Sequence, residues 1–146
     1  MARAKAEAAA AAEPGAFLLA ADTVVACGRR ILDKPIDAAG ARRWLELLSG
    51  RRHRVWGGLC AIGPDGRRAE RLVMTQVVFK RLSAGEIDAY LASEEWRGKA
   101  GAYAIQGAAG GFVKRINGSY SNVVGLSLFE TRALLEGLGY RRMFGA

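Results

Sequence analysis

Four short stretches of this chain carry side chains able to act on a charged substrate. In the first, the apolar run Phe17-Leu18-Leu19-Ala20-Ala21 leads into Asp22 and Thr23. An apolar strand ending on a carboxylate sets an acid at the carboxyl edge of a sheet, where α/β proteins bind ligands. Such an aspartate can hold a divalent cation or orient a water, or it can be a cap or turn residue. In the second, Asp33-Lys34-Pro35, proline fixes the backbone, so Lys34 projects from a defined loop and suits phosphate as a point charge. The third runs from Gly98 through Lys99 and Gln106 to Gly107. Its glycines let backbone amides approach an anion, Lys99 adds charge, and Gln106 offers the donor and acceptor that reading a nucleobase edge requires. Its spacing matches neither a Walker loop nor a dinucleotide-binding fingerprint. The fourth, Gly118 to Leu126, places Ser119, Ser121 and Asn122 ahead of a helix, a weaker signal for an anion. His53 is the single histidine, which excludes a histidine-based metal site. With arginines around it, His53 reads as a surface or strand residue rather than a base.

The elements that must position these groups follow from periodicity and punctuation. Residues 1–12 form an alanine-rich helix ended by Glu13-Pro14-Gly15. Residues 17–21 form a buried central strand continued by Val24 and Val25, and Cys27 to Arg30 turn the chain back through Ile31 and Leu32. Asp37 caps a helix whose Ala41, Trp44, Leu45 and Leu48 share a face, and Gly50 stops it. Residues 55–62 and 72–82 are strands joined by Pro64-Asp65-Gly66, with Val73, Thr75, Val77 and Phe79 on one side. Ser83 and Glu86 form a capping box ahead of a helix burying Ile87, Tyr90 and Leu91. Residues 98–111 are too rich in glycine for an ordinary element. A strand over 112–116, a turn at Asn117-Gly118 and a helix over 127–138 complete the chain, with Leu128, Leu135 and Leu138 facing inward. Strands and helices alternate, so the class is α/β, in one domain over 1–146.

Composition bounds the function. Apolar residues make up 51% of the chain, enough for a core. There is neither an apolar run long enough to span a membrane nor a signal-peptide pattern. Cys27 and Cys60 are too few and too far apart for a disulfide framework or a zinc site, so two reduced thiols and a cytoplasmic location are expected. The net charge of +8 draws the chain to phosphate. The arginines are scattered and no recognition motif accompanies them, so nucleic acid is not the expected partner.

Taken in order, these segments resemble the Maf family of nucleotide pyrophosphatases. The resemblance rests on Leu18 to Val25, Gly28 to Pro35, Leu48 to Val55, Phe79 to Ser83, Trp96 to Gly101, Tyr103 to Gly107 and Gly118 to Leu126. It implies a mixed-sheet, two-lobed fold like that of inosine triphosphate pyrophosphatases, with a central cleft. It implies a divalent cation, magnesium or manganese, and a nucleoside triphosphate as substrate. By resemblance Asp22 is the proton acceptor that activates water, Thr23 and Gln106 select the base, and Lys34 and Lys99 contact phosphate. The Ala-Asp-Thr form resembles the branch acting on dTTP and UTP. Asp22 serves as metal ligand, base or both. The family's opening strand and nucleotide-gripping Ser-x-Ser-Pro-Arg-Arg loop have no counterpart here, so a shortened domain with a weakened site is expected, leaning on a homodimer. Trp56-Gly57-Gly58 stands where Thr-Gly is common, and Ser127 where proline is common. A nucleotide-binding module without turnover is the alternative.

Overall fold

The computed structural model describes residues 2–141. Helix α1 spans Ala2–Ala12, and Met1, expected to begin it, lies outside the described residues. Strands β1 (Leu18–Cys27) and β2 (Arg30–Ile31) form a tight hairpin around Gly28, whose φ of 60° suits a residue without a Cβ. Helix α2 covers Ala38–Leu48, with the Gly40 amide donating to the Asp37 carboxylate at 2.8 Å. Strands β3 (Arg52–Ile62) and β4 (Arg68–Phe79) are the expected hairpin, each starting three or four residues earlier than its apolar pattern indicated. Those extra residues are arginine-rich, and except for buried His53 and half-buried Ala69 they are exposed. The capping box forms as expected, Ser83 and Glu86 each accepting the other's backbone amide, and opens α3 (Ala84–Ser93). Strand β5 (Val113–Asn117) follows, then α4 (Tyr120–Val124) and α5 (Leu128–Gly137).

The sheet order is β2-β1-β3-β4-β5, and every pairing is antiparallel where a mixed sheet was expected. The α/β class stands, but β1 is not a buried central strand. Two-residue β2 pairs with Ala26 and Cys27, so among the described residues no strand lies on the outer side of residues 18–25 of β1. Asp22 lies in the middle of β1, opposite Gly58, rather than after its end. The apolar run stops at Ala21 because half-buried Asp22 and Thr23 interrupt it, while extended structure continues to Cys27.

Three apolar clusters hold the layers. The largest joins Val25, Val55, Val77 and Phe79 of the sheet to Leu45 and Leu48 of α2, Ile87 and Tyr90 of α3, and Tyr103 and Ile105 of the glycine-rich segment. Leu45 and Leu48 are fully buried, and a buried leucine contributes about 1.5–3 kcal/mol. At the other end the sheet is covered on both faces. Ala2 and Ala6 of α1 pack on Cys60 and Ile62, while Leu134 and Leu138 pack on Leu59 and Ala61 from the opposite side. Leu128 is exposed, contrary to expectation, because Thr131, Leu134 and Leu138 mark the inward stripe of α5. A cleft lies beside β1, lined by residues of α1, β1 and the glycine-rich segment. No helix among the described residues is long and apolar enough to cross a membrane.

Candidate active site

All five residues singled out in the sequence line this one cleft, which encloses about 230 Å³. Asp22 and Thr23 come from β1, Lys34 from the loop after β2, and Lys99 and Gln106 from the glycine-rich segment. Successive strand residues point to opposite faces, yet both Asp22 and Thr23 reach the cleft because it wraps round the edge of β1 that no strand among the described residues pairs. Lys34, Lys99, Thr23 and Gln106 have no side-chain hydrogen-bond partner among the described residues, and Lys34, Lys99 and Gln106 are exposed. Polar groups crowded into a concave surface without partners of their own are available to a ligand.

A sixth residue, Lys5, was not anticipated. It projects from α1, and its Nζ lies 3.2 Å from Asp22 Oδ1. Because α1 crosses the face of the sheet that carries Asp22, the pair forms across seventeen residues of sequence. In an alanine-rich helix Lys5 looks like an ordinary solvated charge, and no local signal separates it from Arg3. Asp22 Oδ2 has no partner among the described residues. Three lysines and one carboxylate thus line the cleft, a balance suited to a polyanion.

The glycine-rich segment is a folded wall, not a linker. Short 3₁₀ turns cover Ala100–Ala102 and Ala108–Phe112. The Gly101 amide donates to Leu32 O at 2.9 Å, and a Cβ at Gly101 would stand 3.0 Å from Val25 Cγ1, so the wall approaches β1 as closely as glycine permits. Tyr103 is buried between the two site residues and shares a 2.6 Å hydrogen bond with His53 Nε2. His53 is therefore a buried strand residue, not a surface one. Its neighbours Arg52 and Arg54 point to the open face, while His53 points into the core with Phe79 and Tyr103 packed edge-on. Burial pushes the imidazole pKa down to about 4 and pushes the Tyr103 hydroxyl well up. His53 Nδ1 has no partner among the described residues.

The segment after β5 also proves structural. Ser119 caps α4, and buried Asn122 donates its amide to Val55 O at 3.2 Å, Val73 O at 3.2 Å and Thr75 Oγ1 at 3.1 Å. A Cβ on Gly57 would lie 2.0 Å from Asn122 Oδ1, which accounts for glycine there. These small polar residues pin α4 to the sheet, so Val123 and Val124 close the cleft floor. Among the described residues no group of three or more histidines, cysteines or acids stands close enough to cage a metal ion.

The chain belongs to a known family. The chain is a member of the Maf family: the Maf-like protein family matches residues 1–138. Among its relatives, a protein of Paramagnetospirillum magneticum is 66% identical over 140 residues, covering 96% of this chain and 74% of the relative. One from Rhodospirillum rubrum is 63% identical over 141 residues, covering 97% and 67%. One from Rhodopseudomonas palustris is 57% identical over 151 residues, covering 99% and 73%. All three are named dTTP/UTP pyrophosphatase.

Proposed function

We propose that this chain is a nucleoside triphosphate pyrophosphatase that hydrolyses dTTP or UTP to the monophosphate and pyrophosphate. The observation that carries the reading is the convergence of Asp22, Lys5, Lys34, Lys99, Thr23 and Gln106 on one cleft. The names of the relatives support the substrate class. Phosphoanhydride hydrolysis depends on charge neutralisation and a positioned water more than on a special nucleophile. The three lysines supply positive charge to the phosphate chain. Lys5 also holds Asp22 through Oδ1 and leaves Oδ2 to orient a water and take its proton as oxygen bonds to the α-phosphorus. The α–β bridging bond then breaks, and pyrophosphate leaves with the electron pair. Gln106 can donate to O4 and accept from N3–H of uracil or thymine, with Thr23 beside it; cytosine reverses that pattern.

The donor set fits a divalent ion of the magnesium type. Such ions keep several waters and bind through one or two carboxylates plus substrate phosphates, and Asp22 is the carboxylate lining the cleft. Asp22 would hold the ion together with phosphate oxygens, and the ion would offset their charge. Two buried free thiols support a reducing cytoplasmic setting. The test is hydrolysis of dTTP, UTP, CTP and dATP by the purified chain with magnesium, alongside Asp22→Asn. UTP and dTTP are expected to yield monophosphate and pyrophosphate, with a loss of roughly 10²–10⁴-fold in the variant. UTP binding without turnover by the parent chain, or a variant within a few-fold of it, would overturn the reading.

A further inference from the structure

Glu95 lies outside the cleft lining, yet its carboxylate reaches the turn that carries Gln106. The Ala108 amide donates to Glu95 Oε1 at 2.9 Å. At the other end of the turn, the Ala104 amide donates to Tyr90 Oη at 3.2 Å, and the Gly107 amide closes it onto Ala104 O at 3.1 Å. Gln106 stands between these anchored ends with its own side chain exposed. The residues on either side of Glu95 are anchored. Buried Trp96 next to it donates Nε1–H to Leu91 O at 3.1 Å, and Glu94 before it adopts the left-handed conformation, φ 62°, that ends α3. Gly107 completes the fit: a Cβ there would stand 2.0 Å from Glu95 Oε1. Its φ of −99° lies outside the left-handed region, so it is the carboxylate rather than the backbone that calls for glycine.

We infer that Glu95 is a positioning residue for substrate selection: by gripping the Ala108 amide it fixes the direction in which Gln106 presents its amide to the pyrimidine edge. The inference rests on the reading of Gln106 as the base contact. A charged acceptor on a backbone amide is among the stronger neutral-pH hydrogen bonds, so it can hold a two-residue turn in one orientation. Without it the Gln106 side chain samples several directions, and uracil loses its advantage over cytosine.

The experiment measures the ratio of kcat/KM for UTP over CTP in Gln106→Ala, Glu95→Ala, Glu95→Gln, Gly107→Ala and the double variant Glu95→Ala/Gln106→Ala. General destabilisation lowers both specificity constants and leaves the ratio unmoved. Gln106→Ala is expected to reduce the ratio about tenfold, the worth of one hydrogen bond to an otherwise unpaired group. Glu95→Ala should do nearly the same, and the double variant no more, since one residue acts through the other. Glu95→Gln retains an acceptor oxygen and should retain most of the ratio. Gly107→Ala keeps the Glu95 side chain but displaces its flexible end, and should match Glu95→Ala. A ratio unchanged in Glu95→Ala while Gln106→Ala lowers it overturns the inference, as does a double variant whose losses multiply. An unchanged ratio in Gln106→Ala itself overturns the reading of Gln106 on which the inference stands.

Discussion

Acid should destabilise this protein chiefly through the buried side chain of His53. The imidazole is buried, and its pKa of about 4 in the fold compares with 6.5 for an unperturbed histidine. Between those values the unfolded chain binds a proton that the folded chain refuses. Stability therefore rises with pH across the window and is lost as pH falls from 6.5 toward 4. About 2.5 pH units at roughly 1.4 kcal/mol each give about 3 kcal/mol. For a domain of this size that corresponds to a fall in Tm on the order of 10 °C. The assay is thermal unfolding at pH 7 and pH 4 for the parent and for His53→Gln. Glutamine can still hydrogen-bond the Tyr103 hydroxyl but does not titrate. It also gives up the edge-on ring contacts to Phe79 and Tyr103, so its absolute Tm at pH 7 should be lower. The decisive quantity is the drop between the two pH values, which should be smaller in the variant by about 10 °C. Asp65, Glu86 and Glu94, held low chiefly by hydrogen bonds to Arg67, Lys80 and Arg97, add acid sensitivity to both proteins and cancel in the comparison. Equal drops in parent and variant would refute the assignment of the acid step to His53.

Further outcomes follow from the same geometry. Lys5→Met should lower kcat/KM for UTP about tenfold or more through the lost contact to Asp22 and phosphate, while Tm stays nearly constant because Lys5 is more than half exposed; an unchanged kcat/KM would remove Lys5 from the site. Gly57→Ala should displace Asn122 and leave its buried partners unsatisfied, costing about 3 kcal/mol or more by chemical denaturation. Gly137→Ala, with nothing within 4 Å of the new methyl, is the control and should be neutral or slightly stabilising. Chelation of divalent ions should abolish UTP hydrolysis and added magnesium should restore it; full turnover in excess chelator would mean that the lysines alone neutralise the phosphates.

Most of the frame was legible from the sequence because its signals are local. The capping box at Ser83 and Glu86, the Asp37 cap, the turn glycines at Gly28 and Gly66 and the alternation in β4 each depend on neighbours within a few residues. The five candidate site residues stood out for a related reason. Their flanking glycines, proline and apolar run are unusual, and the ordered set of motifs resembles one family. Strand ends were less well marked, since the arginine-rich starts of β3 and β4 face water and break the apolar pattern without breaking the ladder.

What only the tertiary structure decided is which residues meet across distance. Lys5 reaches Asp22 because α1 lies on the same face of β1, and Glu95 reaches Ala108 because α3 ends beside the glycine-rich wall. His53 is buried although arginines flank it, because a strand sends alternate side chains to opposite faces and only one face there is covered. Asn122, a weak signal in the sequence, ties two strands together, since its three partners sit on both. Local chemistry fixes an element and its direction; sheet order and helix docking fix the partner of a charged or amide group, and neither is written in the spacing of nearby residues.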